Sequence, residues 1–326
     1  MHKLVIPLAI LLIILCVTAG YHWTHAIRYS DTDPAFNRAY WEQQIQRHGA
    51  KDAYAEFKER TEKAPLARQH FAAHVMGDVL AEKLGTEGIT VCDTSFAFGC
   101  FHGLFSAIIA KEGTAVIKEL DAACVKAYGV MGTGCTHGIG HGILEYVGYE
   151  NVAKALELCG LTTQKVPLLG CTSGVFMEYN QPLGGDPQNL VPGTRPFDPT
   201  HPYMPCTHVP QQFQASCYFE LGGWLRTSIS DDAAKRSGVC AGLSGEPRSR
   251  CYMGIGSGSA HEHGYDMTAS LAECAALAPA DEFSCRAGVR WGFYQVPETR
   301  VRANEACAYA DAQQSACASL GDLTRG

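Results

Sequence analysis

Histidines and carboxylates recur in this chain at fixed offsets from cysteines. His102 and His137 each stand two residues after a cysteine, in the same C-x-H-G sequence. His141 follows His137 by four residues, so on a helix the two share a face, and Glu145 extends that face by another four. Glu178 stands seven residues after Cys171, where other cysteine-led segments carry glycine or alanine, and Glu220 stands three after Cys217, where they carry glycine. His70 and His74 repeat the four-residue spacing upstream of the first of these segments. A carboxylate buried among glycines is costly unless it is paired or bound to a cation. An i,i+4 histidine pair beside a third histidine and a carboxylate is a donor set for a divalent transition metal: zinc, copper, iron or manganese. The spacing predicts that His102, His137, His141 and Glu178 converge on one such ion from three neighbouring helices. His70, His74, Glu145 and Glu220 are expected as further ligands or as groups that fix the rings. His261 and His263, and His201 and His208 around a proline-rich stretch, are candidates to approach from outside. The competing reading, in which each histidine bonds a backbone carbonyl at a glycine-rich junction, suits a lone histidine better than this cluster.

Other catalytic signatures are missing from the sequence. There is no phosphate-binding glycine loop ending in lysine and no G-x-S-x-G elbow, and His261-Glu262-His263 is not H-E-x-x-H. Enzymatic activity therefore hangs on the metal, and no catalytic residue is assigned.

The elements that position these residues are marked by the cysteines. Apart from Cys16, which is expected to stay unpaired, fourteen cysteines fall into seven local pairs: Cys92 with Cys100, Cys124 with Cys135, Cys159 with Cys171, Cys206 with Cys217, Cys240 with Cys251, Cys274 with Cys285, and Cys307 with Cys317. The first members recur every 32–35 residues, with one interval of 47, the signature of a repeat array. Paired cysteines without C-x-x-C knuckles imply disulfides rather than zinc, and an exported, oxidising location. In the chain-entropy model each such short loop contributes roughly 2.5–3 kcal/mol. Cysteines held in disulfides are unavailable as nucleophiles.

Glycine stands three residues after the second cysteine at Gly103, Gly138, Gly174, Gly254 and Gly288, and small residues recur seven after it at Ala107, Gly142, Gly258 and Gly292. Such a stripe lets a neighbouring helix come close, which offsets glycine's poor helix propensity. A second helix follows after start signals at Gly113-Thr114, Asn151 and Ser230-Asp231-Asp232. The expected fold is all-α: tandem helical hairpins, each stapled by one local disulfide, stacked as an α-solenoid or closed into an α/α ring.

Residues 25–91 are expected as a helical starting unit without cysteines, in which His74-Val-Met-Gly77 occupies the C-x-x-G register, followed by the stapled array over 92–326. This pattern resembles the cysteine-rich, secreted kind of Sel1-like (tetratricopeptide-type) repeat over about residues 52–317. The resemblance implies a concave surface of first helices, used for binding a peptide or partner protein of the cell envelope; a non-catalytic binding protein of that kind is the alternative to a metal protein.

Residues 1–24 are a targeting segment, with an almost wholly apolar run from Leu4 to Ala19. Tyr21, His22 and Trp23 suit a membrane interface and favour a retained anchor over a signal peptide cleaved after Ala19. The expected location is extracytoplasmic, periplasmic or at the cell surface, tethered to the membrane. A net charge of −7 without a basic stripe argues against nucleic acid. Between 181 and 205 the expected second helix gives way to a proline-rich insertion, expected as an irregular loop over the first-helix face near Glu178.

Overall fold

The glycine-rich segments after Cys100, Cys135, Cys171, Cys217, Cys251 and Cys285 are helices in the computed structural model, which describes residues 34–129, 132–163, 170–182, 195–229, 232–296, 298–308, 317 and 319. Thirteen α-helices and no strand occur among these residues. The chain opens with α1 (Arg38–His48), α2 (Ala50–Thr61) and α3 (Leu66–Leu84). It continues with α4 (Gly99–Glu112), α5 (Ile117–Tyr128), α6 (Thr133–Val147), α7 (Val152–Cys159) and α8 (Cys171–Asn180). The remainder is α9 (Gln211–Ser228), α10 (Ala233–Ala241), α11 (Gly245–Glu262), α12 (Met267–Ala272) and α13 (Pro279–Gln295). The inner helices α3, α4, α6, α8, α9, α11 and α13 pack side by side in chain order, and each of α5, α7, α10 and α12 packs against the inner helix that follows it.

All seven disulfides join neighbours in sequence, with Cα–Cα distances of 5.4–5.7 Å. Cys159 at the end of α7 is tied in this way to Cys171 at the start of α8, while Cys217, Cys251 and Cys285 each stand at the seventh residue of α9, α11 and α13. Seven disulfides belong to an oxidising, extracytoplasmic setting. Gly113 and Gly148, at φ 74° and 94°, end α4 and α6 with N–H groups bonded back to Ile109 O and Leu144 O. Asp232 caps α10 by accepting from Lys235 N. Asn151 precedes α7 but donates to Val147 O instead of capping, which corrects its expected role.

Four of the six junctions between adjacent inner helices are made by reciprocal glycines. A Cβ on Gly140 would stand 2.0 Å from the Cys171 carbonyl oxygen, and one on Gly174 would stand 2.0 Å from the His137 carbonyl oxygen. The same cross joins α9 to α11 (Gly222 with Cys251, Gly254 with Phe219) and α11 to α13 (Gly256 with Cys285, Gly288 with Met253), at 1.9–2.0 Å. Two positions therefore carry the contact: the third after the cysteine, as expected, and the fifth, which the cysteine-to-glycine spacing did not single out. The seventh is looser, with Gly142 and Gly292 at 2.9 and 3.1 Å from the nearest carbonyl oxygen.

This contact also corrects the register of α3. A Cβ on Gly77 would stand 2.1 Å from the Cys100 carbonyl oxygen, as one on Gly140 would from that of Cys171, while one on Gly103 would stand 2.0 Å from the His74 carbonyl oxygen, as one on Gly174 would from that of His137. His74 is thus the counterpart of His102 and His137, not of a cysteine. With no cysteine in α3, only one glycine was there to align. The starting unit comprises three helices, and in the first, α1, buried Trp41 packs edge-on to Phe57 at 5.3 Å and donates to Ala35 O.

The glycine cross is missing at two junctions. Between α4 and α6, Phe105 stands at the fifth position and a Cβ on Gly138 would meet Phe101 and Phe105 at 2.8–3.0 Å. Between α8 and α9, Phe176 stands at the fifth position and Glu220 at the third, and Ser173 donates a hydrogen bond to Glu220 instead. The proline-rich insertion enters at this junction. Residues 195–205 are irregular, as expected, and fastened at the end of α8: Arg195 donates to Asn180 Oδ1 (3.0 Å) and Met204 O (2.9 Å). Its guanidinium lies 4.0 Å from the centre of the Trp224 ring. Residues 183–194, and the expected anchor or signal segment with Cys16, lie outside the described residues. Among the described residues no single helix is long and apolar enough to cross a membrane.

Candidate metal centre

Three successive inner helices bring five histidines together. Helix α3 contributes His70 and His74, α4 contributes His102, and α6 contributes His137 and His141. The His102 ring centre lies 5.2 and 5.1 Å from those of His70 and His74, and 5.3 and 4.0 Å from those of His137 and His141. Two groups offer nitrogens within 4.8 Å of one another: His102, His137 and His141, all buried, and His70, His74 and His102.

Hydrogen-bond roles fix where the lone pairs point. His141 Nδ1 donates to Glu178 Oε2 at 2.8 Å, so its Nε2 carries a lone pair. Ser173 spends its proton on Glu220, so its oxygen accepts from His137 Nδ1 at 3.1 Å. His137 Nε2 then also carries a lone pair, 3.0 Å from His141 Nε2. Two buried lone pairs facing each other are an arrangement that could hold a cation between them. A tetrahedral ion with bonds of about 2.0–2.1 Å holds two nitrogens about 3.3 Å apart, within a few tenths of this spacing. Protonated Glu220 would reverse the relay: it donates to Ser173, Ser173 to His137 Nδ1, and His137 Nε2 donates its hydrogen to His141. On the other side, His70 Nδ1 donates to Phe96 O at 2.7 Å and its Nε2 lies 3.1 Å from His74 Nε2.

Burial decides the protonation states. Desolvation holds His102, His137 and His74 well below the ordinary histidine range, and lowers His70 to about 4 and His141 to about 3. All five rings are neutral at pH 7, the form that ligates metal. Burial pushes Glu220 up to about 7, against the lowering effect of its Ser173 bond.

Glu178 occupies a different place from the one its spacing suggested. It is fully buried, but it binds Nδ1 of His141, on the side of the ring away from His137, and its other oxygen accepts from Tyr149 at 2.6 Å. A carboxylate on the outer nitrogen of a metal-binding histidine fixes tautomer and ring orientation. Glu145 is half-buried one turn beyond His141, close enough to Glu178 for repulsion to raise its pKa in addition to burial. His201 and His208 are exposed, bonded to Asp198 and Thr207, and His263 is exposed, so these three stand outside the cluster.

The cluster borders a cavity of about 650 Å³, with His70, His137, Ser173 and Glu220 on one wall and His261 and Trp291 among the other lining residues. Helices from both ends of the array line it, so His261 does reach the neighbourhood of the cluster, where its charged form would lower the pKa of His70. Two signals could have found this arrangement in the sequence: the fifth-position glycine, which marks the register of α3, and Ser173, which takes the position two after cysteine held by His102 and His137.

Comparison with protein-family models, with curated proteins and with solved structures finds no match to this chain.

Proposed function

We propose that this chain is an exported, membrane-tethered protein that binds a divalent transition metal through His102, His137 and His141, with Glu178 orienting His141 through its outer nitrogen. One observation carries the reading: His137 and His141 have their Nδ1 atoms bonded outward and their Nε2 atoms 3.0 Å apart in a buried site. An all-nitrogen donor set favours copper or zinc over manganese. Elemental analysis and zinc titration of the purified chain test it. Wild type should retain metal through gel filtration, His141→Ala should lose it, and Glu178→Ala should bind about 10–100-fold more weakly. A wild-type protein without metal affinity above background returns the histidines to a packing role.

A second reading, that of a metalloenzyme, is favoured by the cavity. Its volume of about 650 Å³ suits a small organic molecule, and its wall includes both His137 and a carboxyl group tuned to about 7, a value suited to proton transfer. Glu220 is then the group placed to exchange protons with a molecule in the cavity.

A further inference from the structure

Four of the five histidines form two matching pairs, and the fifth belongs to both groups. In α3, His70 and His74 place their Nε2 atoms 3.1 Å apart; in α6, His137 and His141 place theirs 3.0 Å apart. Each pair has one ring fixed from outside by an acceptor on Nδ1, Phe96 O for His70 and Glu178 for His141, so each directs a lone pair at its partner ring. Helix α4 lies between α3 and α6 and contributes one histidine, His102.

His102 is 1% exposed, and neither of its ring nitrogens has a hydrogen-bond partner. A neutral imidazole has one N–H and one lone pair. A single ion would satisfy the lone pair and leave the N–H buried without an acceptor, at a cost typical of a lost buried donor. Two ions, one on each side, would satisfy both nitrogens.

We propose that the centre is dinuclear: one ion held by His137, His141 and one nitrogen of His102, a second held by His70, His74 and the other nitrogen, with His102 as a bridging imidazolate. This rests on the metal-binding reading above and extends it. Loading the second ion displaces the ring proton of His102 to solvent, and the ring's two lone pairs form the two new bonds. The nitrogens of one imidazole are about 2.2 Å apart, so bonds of about 2.0 Å put the two ions about 6 Å apart. The charge of two divalent cations is opposed by the imidazolate, by Glu178 behind His141 and by Glu220 behind Ser173. His70 and His137 both border the cavity, so each ion has a route to it.

The test uses the purified full-length chain loaded with copper(II) and freed of excess by gel filtration. Two copper ions per chain are expected in wild type, one in His74→Ala and one in His141→Ala. Circular dichroism and retention of all seven disulfides establish that each variant is folded. Electron paramagnetic resonance separates a bridge from two independent sites: coupling through the imidazolate should remove most of the wild-type signal relative to its copper content. Each single-site variant should regain the full signal of one isolated ion. One copper per chain, lost in His141→Ala and unchanged in His74→Ala, would overturn the dinuclear centre while leaving the metal-binding reading intact. Two coppers with full, uncoupled signal would overturn the bridge, and no retained copper would overturn both proposals.

Discussion

Replacing Gly174 by alanine tests whether the glycine contacts that set helix spacing also set the histidine site. The new Cβ would lie 2.0 Å from the His137 carbonyl oxygen, whereas carbon and oxygen in contact need about 3.3 Å. Helices α6 and α8 must therefore part by about 1.3 Å at this point, because a helix carbonyl cannot swing aside as a side chain can. Two hydrogen bonds cross the same interface: His137 to Ser173 at 3.1 Å and His141 to Glu178 at 2.8 Å. The displacement stretches both past about 4 Å, beyond hydrogen-bond range. Overpacking costs about 1–3 kcal/mol, and each lost bond about 1 kcal/mol more. Alanine's better helix propensity returns about 1 kcal/mol, so the net loss is about 2–4 kcal/mol. With both rings released, zinc affinity should fall about 10–100-fold. Urea denaturation without reductant and zinc titration measure the two effects. Gly238→Ala is the control: it lies exposed in α10, nothing stands within 4 Å of where its Cβ would be, and it should gain about 0.5–1 kcal/mol. A Gly174→Ala protein as stable as wild type would refute the packing argument. One that is destabilised but binds zinc as wild type does would refute the link between helix spacing and site.

The metal-free protein should lose stability in acid. His70 is lowered to about 4 from an unfolded value of 6.5, so the unfolded chain takes up protons first, and stability falls as pH drops from 6.5 toward 4. One such ring accounts for up to about 3 kcal/mol, and an unchanged urea midpoint between pH 7 and pH 4.5 would contradict it. Glu220 works in the opposite direction: raised from 4.5 to about 7, it weakens the fold as pH rises through that window. Glu220→Gln should therefore stabilise the chain at pH 8 by up to about 3 kcal/mol and change little at pH 4, read from paired denaturation curves. Tyr149→Phe removes the 2.6 Å bond to Glu178 and should cost about 0.5–1.5 kcal/mol together with a measurable loss of zinc affinity; a variant unchanged in both would show that Glu178 needs no outer support. Removing Cys274 and Cys285 together opens a loop of separation 11 and should cost about 2.5–3 kcal/mol in urea, with the other six pairs still linked in non-reducing peptide maps.

Local spacing made much of this protein legible from its sequence. Each disulfide spans 8–12 residues, so pairing between neighbours follows from the spacing of the cysteines alone. The helical pitch likewise puts His137 and His141 on one face, and the shared offset from cysteine puts His102 on the matching face of α4. The tertiary structure decided which faces meet. His74 joined the same row as His102 and His137 through a glycine contact in a helix with no cysteine to mark it. Glu178, on the expected helix, met the outer nitrogen of His141 rather than the space between the rings, because the α6–α8 contact is set by Gly140 and Gly174 and not by side-chain reach. His261 came to the cavity while His263, two residues on, stayed in solvent. Positions along one helix are fixed by its rise and turn, which every residue shares. Positions across helices depend on small rotations at each glycine crossing, and these accumulate along the array, so only the folded chain determines which side chains face one another.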